Sequence, residues 1–309
     1  MPTSREIRFH HAGIELAGTL HLPDGTPPYP AAIMVHGSGD ADRDSGGFFT
    51  PIREHLVASG LAVLSWDKPG NGDSGGDWRL QTIPERADET LAAFAWLRQQ
   101  ADIDPAHVAT WGHSQGGWVG PLAASREPDV AALVIHSGTG LTPFEQDYFG
   151  MEHVLRREGA TDEDVAGGRA FLDSLHEAAI AGMPFDQFDR EIQAPARGTP
   201  WHSEYFGEVD EPTWQFFLLN AADPFDPQAT LRAVTCPTLA IFGSDDVLVP
   251  AVESAQMLWD TVGITNPDLT VRIYPGAGHR LALPDGAYPD GYLDAMSRWL
   301  VKRLAPASR

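Results

Sequence analysis

VATWGHSQGGWVGPLAASRE, residues 108–127, is the stretch whose reading decides the fold. A short apolar run, Val108 to Trp111, meets Gly112-His113-Ser114-Gln115-Gly116, and a small-residue helical pattern follows. Strand, sharp turn and helix in that order are the context in which a G-x-S-x-G string carries chemistry. The glycines give clearance. A side chain at 112 or 116 would collide with the crossing strand or helix, and the serine sits at the tip in strained backbone. The turn lifts Ser114 Oγ above the sheet, and the start of the following helix offers backbone N–H groups beside it. A plain glycine-rich turn opening a packed helix is the competing reading, and two downstream side chains weigh against it.

At 309 residues and 42% apolar, the chain can bury a large core, as one α/β domain or two small ones. Acidic residues number 43 against 21 basic ones, a formal charge of -22, which argues against nucleic acid or an anionic membrane surface as partner. Lys68 and Lys302 are the only lysines. A single cysteine, Cys236, excludes an intrachain disulfide and a multi-cysteine metal site, and its place before an apolar run reads as a buried thiol. No charged and then apolar leader opens the chain, and no run approaches the roughly 18 apolar residues of a membrane span. The expectation is cytoplasmic residence.

Outward from the elbow, the spacing predicts eight strands: 5–11 and 14–22 around the Ala12-Gly13 turn, then 31–35, 61–66, the elbow strand from 108, 130–135, 238–242 and 269–274. Ala31 to Val35 is continuously apolar, as a strand buried on both faces is, and amphipathic helices at 48–60, 84–100, 252–261 and 290–304 alternate with the later strands. The fold class is therefore α/β, a mostly parallel eight-stranded sheet flanked by helices. The strand–helix rhythm breaks after the sixth strand. Residues 139–232 read as helices at 142–158, 161–181, near 184–193 and at 212–221, dense in aromatics. This segment is expected to form a helical cap, with 1–138 and 233–309 as the core. Tyr148, Trp201 and Trp214 are the cap residues singled out for the pocket.

Loops at the carboxyl ends of parallel strands are where open α/β sheets place their sites. After the third strand comes His36-Gly37-Ser38-Gly39, where the amide of Ser38, with Gly37 beside it, is the candidate first oxyanion donor. The amide of Gln115, directly after Ser114, is the second. Asp40, Asp42, Arg43 and Asp44 are expected to form an ion-pair and capping network that fixes this loop, an arginine among them disfavouring calcium. The loop Asp67 to Trp78 is glycine-rich but opens no helix, so a dinucleotide fingerprint is rejected. Gly37, His113 and His136, at strand ends near the site, are further pocket candidates, with a supporting hydrogen-bonding role preferred for His136. Asp246, after the seventh strand, is preferred over Asp245 as the acid. His279, in the glycine-flanked loop Pro275 to Arg280, completes a Ser114, Asp246, His279 set.

That order, each residue following a strand, resembles the α/β-hydrolase superfamily over essentially the whole chain. HGSG after the third strand, WDKPGNGDSGG after the fourth and FDPQATLRAVTCPTLAIFGSDDVLVP leading to the acid are similar to bacterial serine esterases of the dienelactone-hydrolase-like and prolyl-oligopeptidase-like kind. In such proteins the acid often precedes Val-Pro by a few residues, which matches Asp246 and Val249-Pro250. Two departures matter. The nucleophile is serine where dienelactone hydrolases proper resemble a cysteine pattern, and Pro69 stands where many relatives carry arginine.

The expected activity is serine-dependent hydrolysis of carboxylic esters, small to medium and largely apolar, through an acyl-enzyme. No metal and no organic cofactor is required, and the partner is a small-molecule ester, with a homodimer as an open assembly. The same residues suit a thioester, an amide or peptide, or a carbon–carbon bond. An acyltransferase and a catalytically silent binding protein of the same fold are the alternatives from other classes.

Overall fold

Tyr29–Val35 runs down the middle of the sheet as β3, and its side chains show how the layers are assigned. Ala31, Ile33 and Val35 enter one buried cluster while Met34 enters another, because successive strand residues point to opposite faces. The same alternation divides β4 (Ala62–Trp66), β6 (Ala132–His136) and β7 (Thr238–Gly243). Helices α2 (Ile83–Arg98) and α3 (Gly116–Arg126), with the helix Ala251–Asp260, cover the first face. Helix α1 (Phe49–Ala58) and the C-terminal helix Tyr292–Leu304 cover the second. This computed structural model describes residues 1–138, 140–222 and 225–305.

The eight strands lie in the order β1-β2-β4-β3-β5-β6-β7-β8. Strands β1 (Thr3–His11) and β2 (Ile14–Leu22) form an antiparallel hairpin, and β2 also meets β4 antiparallel. From β4 onward every pairing is parallel, through β5 (Ile103–His113) to β8 (Leu269–Tyr274). All parallel strands therefore deliver their following loops to one edge.

The eight expected strands are the eight observed, with one boundary moved substantially. Asp102 to Pro105 reads as a stop, yet β5 begins at Ile103. Tyr29 pairs with Ile103 and donates its N–H to the Asp102 carbonyl at 2.7 Å, so pairing holds a stretch extended that its own composition would turn.

Between β6 and β7 lies an insertion whose described residues form helices and turns. Its two long helices, α4 (Pro143–Arg157) and α5 (Asp162–Ile180), each start at a reciprocal capping box, Thr142 with Glu145 and Thr161 with Asp164. Further along come the short turns Phe185–Phe188, Asp189–Gln193, Ala194–Ala196 and His202–Phe206, then Glu211–Ala222 and Pro227–Arg232. Met151, Leu155, Val165 and Leu172 form one apolar cluster of the insertion; Phe171, Phe188 and Trp214 belong to another. Leu231 packs instead into the cluster under the sheet.

At the strand ends, polar groups are buried in a connected row. His113 and His136 are register partners of β5 and β6, their Nδ1 atoms 3.0 Å apart, and His136 Nε2 lies 2.8 Å from the Tyr292 hydroxyl. Burial lowers the pKa of His136 to about 3 and that of His113 well below the usual imidazole value, with His279 adding to both shifts. Both rings are neutral near pH 7.

Two outcomes follow. A Cβ at residue 112 would lie 2.0 Å from the Gly116 carbonyl oxygen, and no rotation relieves a clash between backbones. Gly112→Ala should lower unfolding stability by about 3 kcal/mol or more, read by urea denaturation. An imidazole whose folded pKa is depressed takes up its proton more readily in the unfolded chain, so stability falls as pH drops below about 6.5. By pH 5 the loss from His136 should be about 2 kcal/mol, and the stability-versus-pH slope between 6.5 and 5 should flatten in His136→Gln.

Candidate active site

Ser114 directly follows β5, with Gln115 between it and α3, and it holds a left-handed backbone, φ 54°. Its N–H donates to the His136 carbonyl at 3.0 Å, tying the turn to the neighbouring strand, and its carbonyl accepts from Gly117 N–H at 2.7 Å as α3 begins. A non-glycine residue in this conformation is strained, and such strain persists only where surroundings over-determine it. Here they do: Gly112 admits Gly116 at a distance no other residue allows.

Asp246 and His279 are 33 positions apart in sequence, and the loops after β7 and β8 are stitched together to bring them into contact. Asp245 N–H donates to the Ala277 carbonyl at 3.0 Å, and Gly276 N–H donates to Ser244 Oγ at 2.8 Å. His279 Nδ1 then lies 2.8 Å from Asp246 Oδ2. The other oxygen, Oδ1, accepts from the amides of Leu248 (2.8 Å) and Val249 (3.0 Å), so the buried carboxylate has three donors. Asp245 is exposed and accepts instead from Ser244 Oγ. The His279 ring lies against that of His113, centroids 4.9 Å apart, beside the elbow. Among the described residues no hydrogen bond joins Ser114 Oγ to His279.

The loop after β3 passes directly under the elbow. A Cβ at Gly37 would stand 3.1 Å from Ser114 Cβ, and Ser38, Ser114 and Gln115 line the same cavity. Beneath this loop are two cations that the sequence did not flag. Lys68 is fully buried; its Nζ donates to the carbonyls of Gly37 and Gly39, both at 2.7 Å. Arg86, on α2 and also buried, donates to the carbonyls of His36 (3.2 Å) and Gly37 (3.4 Å) and to the Gln115 side chain. Burial, with the Arg86 charge adding, holds the Lys68 pKa well below its ordinary value, and burial brings that of Arg86 down to about 10. The signal available in sequence was slight: one of two lysines in the chain, following a buried strand.

Asp40, Asp42, Arg43 and Asp44 do enter ion pairs and caps around this loop, with most of their partners drawn from outside it. Arg43 reaches outward to Asp67 of the next loop (Nη2–Oδ2 2.6 Å), to Glu6 and to Asp73. Asp40 accepts from the Trp78 indole, Asp44 from Arg53, and Asp42 caps the turn amides of Asp44 and Gly46.

Above the elbow lies a cavity of about 290 Å³ between core and insertion. Phe144, Tyr205, Phe216, Phe217, Trp118 and Phe225 supply rings to its wall. Its polar lining includes Asp147 and His176, whose Oδ2 and Nε2 are 3.5 Å apart. The three aromatics singled out for the pocket lie elsewhere. Trp214 is fully buried, stacked on Phe188 at 3.9 Å with its N–H on the Met183 carbonyl. Trp201 packs on Phe171 within the insertion, and Tyr148 of α4 donates to Asp173 of α5. Aromatic density marked the segment, but which ring faces inward depends on how the helices pack. His113, His136 and Gly37 underlie the elbow without lining the cavity.

Comparison with known proteins agrees with this frame. Esterase EstD of Thermotoga maritima is 24% identical over 303 residues, 93% of this chain and 66% of EstD, so the chain spans a little under two thirds of that relative. A 2-hydroxy-6-oxononadienedioate/2-hydroxy-6-oxononatrienedioate hydrolase of Dechloromonas aromatica is 23% identical over 292 residues, 90% of this chain and 89% of its own. Among solved structures, the Pyrococcus furiosus esterase Pf2001 superposes with a TM-score of 0.67 at 17% identity, covering 97% of this chain and 91% of that one. Est1E of Butyrivibrio proteoclasticus, solved with ferulic acid, gives 0.60 at 20%, covering 97% and 100%. These structural likenesses show the α/β-hydrolase fold. The family model described as X-Pro dipeptidyl-peptidase (S15 family) matches residues 12–263, and the chain belongs to that family of α/β-hydrolase proteins.

Proposed function

We propose that this protein is a serine carboxylesterase in which Ser114 is the nucleophile, His279 the general base and Asp246 the acid that orients it. Family and fold support hydrolysis in general. The observation that carries the finer reading is the pair of half-buried His279 and buried Asp246, 2.8 Å apart, set beside a strained serine that opens into a ring-lined cavity.

The steps follow from these groups. Ser114 Oγ attacks the ester carbonyl as its proton passes to His279 Nε2, and Asp246 stabilises the resulting imidazolium. The amides of Ser38 and Gln115 receive the oxyanion; one such donor is worth about 3 kcal/mol in the transition state. The alcohol leaves with the proton from His279, and water activated by the same ring releases the acid. Ser114 Oγ and His279 close to hydrogen-bonding distance when substrate fills the site, as catalytic contacts that are loose in a free enzyme commonly do. Residues 139–232 act as the cap. The cavity volume is near the lower end, roughly 300 Å³, of small-molecule sites, which suits small to medium apolar acyl groups.

A second reading, cleavage of a peptide beside proline, has one observation in its favour besides the family description. Asp147 places a carboxylate in the cavity, where the ammonium of a free peptide N-terminus would be accepted. Turnover of Ala-Pro p-nitroanilide set against p-nitrophenyl butyrate separates the two, and the ester should be cleaved faster by at least tenfold.

Wild-type protein should hydrolyse p-nitrophenyl butyrate and be labelled by a fluorophosphonate at Ser114. Ser114→Ala should lose both, with turnover down about 10⁴-fold or more and an unchanged circular dichroism spectrum. Equal turnover by Ser114→Ala would refute the assignment. Because Asp147 repels like charge, the p-nitrophenyl monoester of glutarate should show a lower kcat/KM than the valerate ester, and Asp147→Asn should narrow the gap.

A further inference from the structure

We infer that Lys68 and Arg86 are positioning residues of the oxyanion pocket, polarising and aiming the Gly37–Ser38 peptide from behind. The inference rests on the esterase reading and names two side chains which that reading does not use.

Three observations converge. First, the Gly37 carbonyl accepts from both cations, Lys68 Nζ at 2.7 Å and Arg86 Nη1 at 3.4 Å. That carbonyl shares its peptide plane with the Ser38 N–H. In a trans peptide the C=O and N–H point in opposite directions, so holding the oxygen toward the cations turns the N–H the other way, and Ser38 lines the cavity. Second, the carbonyls of His36 and Gly39 are held by the same pair, Arg86 at 3.2 Å and Lys68 at 2.7 Å, so the loop is fixed on both sides of the reacting amide. Arg86 also holds the Gln115 side chain, and thus touches the residue that supplies the second amide.

Third, neither cation has an ion-pair partner within 4 Å among the described residues, although both are buried. Burying such groups without a carboxylate is costly, and here backbone carbonyls of the one loop are their acceptors. The Trp78 ring, 5.2 Å from Lys68 Nζ, and Glu89, which accepts from the Trp66 indole at 2.8 Å and the Gln81 amide at 2.7 Å, are the surroundings. A carbonyl bonded to cations strengthens its own amide as a donor, because hydrogen bonds in a chain polarise one another and charged partners roughly double the strength. The gain is largest when the acceptor is an anion, which is the state of the substrate oxygen only in the transition state.

The test replaces charge while keeping a donor. Lys68→Gln and Arg86→Gln retain an amide N–H, and Lys68→Arg retains the charge. Wild type and Ser114→Ala are assayed first, so failure of the esterase reading shows as an inactive wild type. In an active enzyme, each Gln variant should lower kcat on p-nitrophenyl butyrate by about 10- to 100-fold with KM within threefold. Affinity for a butylboronic acid, which forms a tetrahedral adduct on Ser114, should fall by a similar factor. Affinity for butyramide, a trigonal ground-state mimic, should hold within threefold, and Lys68→Arg should recover most of the lost kcat.

Unchanged kcat and boronate affinity in a folded Gln variant would overturn the inference. So would parallel loss of boronate and butyramide binding, which marks a merely structural role. Melting temperatures identify a variant that does not fold, and the other site then carries the measurement.

Discussion

A serine forced to a backbone φ of 54° is the constraint from which the rest of this structure follows. Left to itself a serine leaves that conformation, at a cost of about 1–3 kcal/mol if it is held there. It stays because a sheet strand ends directly before it, a helix starts just past Gln115, and its amide is bound to His136 of the next strand. Each of those depends on the parallel register of β5 and β6, which in turn depends on cores packed on both faces. The strain is thus stored by the whole sheet rather than by the turn.

Around that turn the molecule buries polar groups to an extent that packing alone does not call for. Two neutral imidazoles and a tyrosine hydroxyl form a row below the elbow, and two cations lie under the loop that crosses it. The row joins β5, β6 and the C-terminal helix through groups that must be satisfied once they leave water. The cations hold backbone carbonyls of the loop, and Arg86 also holds the side chain of Gln115 at the elbow. Asp246 shows the same economy from the opposite sign: buried, it accepts from two amides of its own loop before it meets His279. Its position is set by the β7 turn, independently of the histidine.

The eight strands along the chain, the helical insertion after the sixth, the elbow and the candidate triad residues were all legible in the sequence. They rest on local signals: alternation or continuity of apolar residues, capping residues, and glycines where backbones must come close. The start of β5 was misread because pairing with Tyr29 outweighs the turn chemistry of Asp104-Pro105. The partner of Arg43 was not legible, because a side chain of that length finds it across space, in Asp67. Tyr148, Trp201 and Trp214 were chosen on composition, which records that a segment is aromatic but carries no direction.

What the residues alone determined is therefore the architecture and the identity of groups that follow a strand, since periodicity and turn chemistry act over a few positions. What only the tertiary structure decided is which distant groups touch: His279 with Asp246, Lys68 and Arg86 with the Gly37 carbonyl, and Phe216 and Phe217 rather than Trp214 on the cavity wall. Such contacts depend on how helices of the insertion rotate against the sheet and on where long side chains end. Close packing settles both over the whole molecule at once, and no local pattern encodes the result.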